Sequence, residues 1–132
     1  MSMEMRMEGQ RFLVVRIHGL LRVPDIEESQ RAAAKLIREV GKVTLLVLLD
    51  DFQGWEPGEG WGDVSFLMEH DDDIEKMAIV GQEKWREEVL VFAGVGIRRS
   101  PVRYFNDSES ARAWLADNPA RDTVRRPGGK SD

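Results

Sequence analysis

The chain has 132 residues, of which 42% are apolar and 33% charged, the length and composition of one globular domain with its own core. It contains no cysteine, which excludes a disulfide framework, a thiol nucleophile and a cysteine zinc site. Its net charge of −5, without a basic face, argues against nucleic acid as a partner.

The first part of the chain predicts strands around a turn, followed by a helix. Residues 12–18 alternate between an apolar and a mixed face, which is typical of a strand near the edge of a sheet. Residues 5–8 predict a short strand before it, joined by a tight turn at Gly9. Residues 24–40 predict a helix with one apolar face, and Gly41 provides its C-terminal cap.

The centre of the chain predicts the most buried strand. Residues 43–49 are almost all β-branched residues or leucine, as in a strand buried on both faces of a parallel sheet. We expect Asp50, Asp51 and Gly54 to end this strand. Residues 61–69 predict a short helix.

The last part of the chain repeats the alternation of strand and helix. Residues 71–73 predict a loop, 77–80 a short buried strand, 82–93 a helix, 102–105 a final strand and 107–117 a final helix. Strands that alternate with helices predict right-handed crossovers and a mainly parallel sheet. We therefore expect a single α/β domain.

Four stretches of the chain are similar to the SpoIIAA-like family, a relative of the STAS domains. They cover most of residues 10–117 and read GLLRVPDIE (19–27), GKVTLLVLLDDFQGW (41–55), MAIVGQEKW (77–85) and VRYFNDSESARAWL (102–115). The resemblance implies a SpoIIAA/STAS-like sheet of four to five mostly parallel strands packed by about four helices. We assign the domain to residues 1–117 and expect a disordered tail over 118–132.

The resemblance also implies small modules that bind apolar ligands, membranes or protein partners, without an established enzyme activity. Two positions depart from the family. Arg22 stands where family members often carry a threonine before the first helix. Anti-sigma-factor antagonists of this kind are phosphorylated on a serine just after the central strand, but residues 50–55 contain no serine or threonine, and the nearest serine is Ser65.

Two acidic groups have a chemical and a structural interpretation. Asp50 and Asp51 follow a buried strand, at the edge where parallel sheets bind ligands, and adjacent carboxylates can serve acid–base chemistry. The structural interpretation, which we favour, is a turn that bonds its own backbone. His70 with the aspartates at 71–73 does not have the spacing of an EF-hand, so we expect a solvated loop and no metal site.

The aromatic residues are the strongest functional lead. They cluster over residues 52–66 and recur on the helix at 82–93, where they either complete the core or frame an apolar pocket or partner surface. The glycines between positions 54 and 62 predict that residues 52–68 form a mobile aromatic-rich lid. The candidate ligand- or partner-binding residues are Asp51, Phe52, Trp55, Trp61, Phe66, Trp85, Val89 and Phe92.

The leading functional hypothesis is a non-catalytic binding module for an apolar small molecule, a lipid surface or a protein partner. It requires no cofactor and no catalytic residue. The alternatives are a hydrolase using Asp50 and Asp51, and a homodimeric regulatory protein. Because no apolar stretch has the length of a signal peptide or a membrane span, we expect a soluble cytoplasmic protein with the option of peripheral membrane association.

Overall fold

Five strands form one sheet in chain order, β1-β2-β3-β4-β5, in the computed structural model, which describes residues 3–9, 11–57, 71–94 and 100–116. The elements are β1 (Met3–Glu8), β2 (Phe12–Leu21), α1 (Val23–Val40), β3 (Val43–Trp55), β4 (Ile74–Val80), α2 (Arg86–Phe92), β5 (Val102–Phe105) and α3 (Ser108–Ala116), with 3-10 turns at Asp71–Asp73 and Glu83–Trp85.

The pairing of the strands follows from their connections. The short link between β1 and β2 permits an antiparallel pair, with Met5 opposite Val15. The other three pairs are parallel, and the chain returns across the sheet through α1 between β2 and β3 and through α2 between β4 and β5. The predicted α/β sheet is confirmed, and the strand predicted at 43–49 lies in its centre.

The prediction that Asp50, Asp51 and Gly54 end the central strand is wrong, because β3 continues through Trp55. Asp51 and Gly54 adopt positive φ angles of 56° and 102°, which bend the strand instead of ending it. Its partner β2 bends at the same level, with Gly19 at a φ of 57°, and the register shifts on both sides of Gly19. The two strands therefore remain paired through matching irregularities.

Three smaller predictions also change. The predicted loop at 71–73 is a 3-10 turn, and the predicted helix at 82–93 begins with another, so that the α-helical part starts at Arg86. The described residues contain three α-helices where about four were expected. The remaining predicted helix, 61–69, and the tail, 118–132, lie outside the described residues.

The helices cover opposite faces of the sheet. Both α1 and α2 connect neighbouring parallel strands in the same direction along the sheet, so right-handed crossovers place them on one face. Their core includes Leu13, Val15, Ile37, Ile79 and Val89. The last helix, α3, follows the edge strand and packs on the other face, over Val14, Leu46 and Ala78.

Polar contacts fix α3 at both of its ends. The Asp107 carboxylate accepts a hydrogen bond of 2.8 Å from the backbone N–H of Ser110 and caps the first turn. At the other end, the buried Lys76 donates a 2.8 Å hydrogen bond to the carbonyl oxygen of Trp114, and its ammonium lies 4.7 Å from the centre of that indole ring. A cation at the C-terminal end of a helix also complements the helix dipole.

Candidate functional site

A cavity of about 190 Å³ lies between the sheet and the two helices α1 and α2. Side chains of β1, β2, β3 and β4 that point to this face form its floor, and almost all of them are apolar. They include Met3, Met5, Val15, Val47, Leu49 and Ile79. The cavity therefore occupies part of the volume that the core of this face would otherwise fill.

The sequence of α1 explains why the space is open. Ile26, Ala33 and Ile37 face the sheet at helical spacing, but the position between them is Gln30, and Ser29 lies beside it. Alanine, serine and a half-buried glutamine fill less apolar volume here than leucine or isoleucine would. The helix is thus held off the sheet by its large residues and leaves a gap at its small and polar ones.

Polar groups enter the described lining from α1 alone. They are the half-buried Ser29 and Gln30 and the exposed Glu27. An apolar cavity with a few polar groups on one side is the usual form of a small-molecule site. Neither Ser29 nor Gln30 was expected at a site from the sequence, although these two polar residues interrupt the apolar stripe of α1 and would have indicated the position.

Most of the predicted aromatic residues come together at the α2 end of the cavity. Val89 and Phe92 line the cavity, and the Phe92 ring is 5.5 Å from that of Trp55. Ring centres are 5.2 Å apart for Phe52 and Trp55, 4.9 Å for Phe52 and Trp85, and 6.0 Å for Trp55 and Trp85. These edge-to-face contacts make one aromatic cluster, which Phe92 joins to the cavity.

The aromatic cluster also joins two sequence motifs. Gly54, in the DDFQGW stretch, lies under the ring of Trp85, in the IVGQEKW stretch: a Cβ at Gly54 would be 3.2 Å from that ring. The positive φ of Gly54 adds a second reason for glycine. The buried indole N–H groups of Trp55 and Trp85 have no hydrogen-bond partner within the described ranges.

The predicted lid begins too early. Residues 52–55 are the end of β3, where strand pairing with β2 holds them, and Phe52 is only 6% exposed. They form a wall of the core and not a part of a lid. From residue 58 onward the predicted lid, including Trp61 and Phe66, lies outside the described residues, so the motion of the lid and those two site residues stay predictions.

A polar network fixes the segment that carries Trp85. The Tyr104 hydroxyl donates a 2.6 Å hydrogen bond to the carbonyl oxygen of Gln82, and burial raises the pKa of Tyr104. Arg86 donates a 2.8 Å hydrogen bond to the Glu83 carboxylate, which lowers the pKa of Glu83. The start of α2, and with it the Trp85 ring, is thereby held against the ends of β4 and β5.

Asp51 does not join the aromatic cluster as predicted. Its side chain is exposed, because the bend in β3 turns it outward, and its Oδ1 accepts a 3.1 Å hydrogen bond from the Gln53 amide. The bond is local, as the structural interpretation of the two aspartates expected, but it joins two side chains within a strand and not an aspartate to the backbone of a turn.

Asp50 belongs to a separate charged group. Its Oδ2 is 3.5 Å from Nη1 of Arg16 and 3.9 Å from Nδ1 of His18, whose Nε2 is 3.4 Å from Oε2 of Glu4. The sequence alone had placed no histidine near Asp50; strand pairing brings His18 directly opposite it. Asp50 and Asp51 thus engage different partners. No group of three or more metal-ligating side chains forms within the described ranges.

The comparisons with known proteins agree on one family. The SpoIIAA-like family model matches residues 12–116. No match was found among the curated proteins. In the described part of the chain, no helix has the combined length and apolarity needed to cross a membrane.

Three solved structures share the fold at low sequence identity. An uncharacterised protein of Shewanella loihica PV-4 with a SpoIIAA-like fold is 18% identical, with a TM-score of 0.67 over 87% of this chain and 93% of that one. The unphosphorylated anti-sigma factor antagonist SpoIIAA is 12% identical, with a TM-score of 0.62 over 89% and 100%. The phosphorylated Bacillus cell fate determinant SpoIIAA is 15% identical, with a TM-score of 0.56 over 86% and 99%.

Proposed function

The chain belongs to the SpoIIAA-like family, and we propose that it is a non-catalytic binding module that holds the hydrocarbon part of a small amphiphile between α1 and the sheet. The observation that carries this proposal is the apolar cavity, whose described polar groups all come from one wall. Such a cavity gains free energy from an apolar guest, because each methylene transferred out of water contributes about 0.8 kcal/mol.

The size of the cavity limits the guest. An apolar cavity of roughly 150 Å³ accommodates one benzene molecule. At about 190 Å³, this cavity is somewhat larger, which suits a chain of about six to eight carbons. The rest of a longer ligand would extend past α1 toward solvent.

The same walls favour binding over catalysis. Within its described lining, the cavity contains no histidine, lysine or second carboxylate that could activate the Ser29 hydroxyl beside Glu27. The aspartates of the hydrolase alternative are not in the lining: Asp50 lies beside Arg16 and His18, and Asp51 bonds Gln53. The described lining of the cavity therefore holds no set of catalytic groups beside the space that a guest would occupy.

Filling the cavity by mutation tests the proposal. We expect octan-1-ol to bind the purified protein in isothermal titration calorimetry, and Ala33→Leu to weaken that binding about tenfold or more, because the new side chain occupies the space of several methylenes. The matched control is Ala32→Leu, the same change at an exposed position of the same helix, which leaves binding unchanged. Equal affinity in both variants, or no binding to the parent protein, would refute the proposal.

A further inference from the structure

The polar groups of the cavity lining differ in what they offer a ligand. Gln30 carries both a donor and an acceptor, and the Ser29 hydroxyl can serve as either. Glu27, when ionised, only accepts hydrogen bonds. It is also the single charged residue within the described lining, so the described groups give the cavity a negatively charged side.

No cation in the described lining balances that charge. The arginines nearest to Glu27 in sequence, Arg22 and Arg31, are exposed and are not lining residues, and Arg22 Nε lies 3.5 Å from the Glu56 carboxylate. The N-terminal dipole of α1 favours anions, but this effect fades after the first turn, which already holds Asp25. An anionic head group beside Glu27 would thus meet repulsion that no cation of the described lining offsets.

From this asymmetry, we propose that the cavity selects amphiphiles by head group: it accepts one that donates hydrogen bonds and carries no negative charge, an alcohol or an ammonium, and discriminates against the carboxylate of a fatty acid. The inference rests on the proposed function, because it concerns the same cavity. An ammonium head group would donate to Glu27 and to the side-chain oxygens of Ser29 and Gln30, and an alcohol to one of these, while the alkyl chain lies over the sheet.

Three probes with the same chain test the selection: octylammonium, octan-1-ol and octanoate, titrated calorimetrically at neutral pH and low salt. Because Glu27 is exposed and solvent screens its charge, we expect the dissociation constant of octylammonium to be lower than that of octanoate by a factor on the order of ten, with octan-1-ol between them. The ratio of the octanoate to the octylammonium dissociation constant falls as salt is added. If octanoate binds as tightly as octan-1-ol, the head-group inference fails while the proposed function stands; if none of the three binds, the proposed function itself fails.

A pair of variants separates Glu27 from the overall charge of the protein. Glu27→Gln removes the lining carboxylate, and Glu28→Gln makes the same change at the next, exposed residue, which is not in the lining. We expect Glu27→Gln to reduce the ratio of the octanoate to the octylammonium dissociation constant at least threefold more than Glu28→Gln does. An equal reduction of this ratio in the two variants would assign the selectivity to the net charge of the protein and overturn the inference.

Discussion

The face of the sheet that carries α3 is closely packed and tied by polar contacts, whereas the face under α1 and α2 encloses a cavity. On the α3 face, Ala78 and Ala111 are both fully buried, and small residues there bring helix and sheet together. On the other face, Ala33 is as small, yet the space beside it stays open.

The difference between the two faces shows that small residues have no fixed effect on packing. They close the gap where polar anchors hold the helix down, as the hydrogen bond from Lys76 to Trp114 does for α3. They leave a gap where large neighbours hold the helix away, as Ile26 and Ile37 do for α1. We infer that the α3 face tolerates changes in side-chain volume less well than the α1 face, where the cavity lies.

The largest expected effect comes from truncating neighbouring leucines of β3 that face opposite ways. Leu46→Ala, on the α3 face, removes a side chain with no exposed surface and is expected to cost about 2–5 kcal/mol of unfolding free energy. Leu45→Ala, in the half-buried cavity floor, is expected to cost less, about 1–2 kcal/mol, because its surroundings are already incompletely filled. Urea unfolding of both variants measures the difference, and equal losses would remove the contrast between the faces.

A second test adds volume instead of removing it. Ala111→Leu forces a larger side chain into a closed interface and is expected to destabilise the protein by roughly 1–3 kcal/mol. Ala33→Leu places the same side chain beside open space, so we expect its unfolding free energy to stay within about 0.5 kcal/mol of the parent value or to rise. A comparable loss at Ala33 in urea unfolding would mean that the cavity is not available in solution.

The polar anchor of α3 is the third test. Lys76→Met keeps most of the apolar stem but removes the hydrogen bond to the Trp114 carbonyl and the contact with its ring, at an expected cost of about 1–2 kcal/mol. Lys35→Met, on the exposed side of α1, is the control and is expected to change stability by less than about 0.5 kcal/mol. Thermal unfolding of the two variants decides whether the anchor contributes as described.

The smallest expected effect is a pH dependence at the edge of the α3 face. Glu8 accepts hydrogen bonds from Arg6 at 2.6 Å and from Arg112 of α3 at 3.1 Å, and these bonds lower its pKa below the ordinary 4.5. A lowered pKa in the folded state stabilises the protein above the ordinary value, and this contribution is lost as the pH falls through the lowered one.

Glu8→Gln tests that dependence. The variant is expected to lose less stability than the parent protein when the pH is lowered below 4.5, because glutamine does not titrate in this range. Glu109→Gln, an exposed position on α3, is the control and is expected to follow the parent curve. Identical slopes for all three proteins in acid unfolding would show that Glu8 is not engaged in solution.

Apolar patterns predicted the sheet well because they report burial directly. The run at 43–49 is typical of a strand buried on both faces, and it forms the first half of β3, the middle strand of the sheet. The continuation of that strand to Trp55 was not predictable in the same way, because Asp51 and Gly54 are typical of turns. What keeps them in the strand is the matching bend of β2 at Gly19, a long-range pairing that local propensity does not report.

The sequence indicated which types of residue form the candidate site, but it did not indicate where in the fold the site lies. The aromatic pattern singled out Trp55, Trp85 and Phe92 as candidates, and the rings of Trp85 and Phe92 both lie against that of Trp55. The cavity itself depends on the distance between α1 and the sheet, which is set by the combined volumes of residues far apart in sequence. In the sequence, the polar Gln30 within the apolar stripe of α1 would have indicated the position of the cavity along the chain.

The arrangement of Trp55 and Trp85 gives the protein an optical property of its own. Two indole rings 6.0 Å apart and inclined at 77° couple their ultraviolet transitions, so we expect a pair of circular dichroism bands of opposite sign that vanishes in Trp85→Phe. Since Phe92 lies between this pair and the cavity, a guest that shifts the Phe92 ring would also alter the bands. The protein would then report its own occupancy in a spectrometer, with no dye attached.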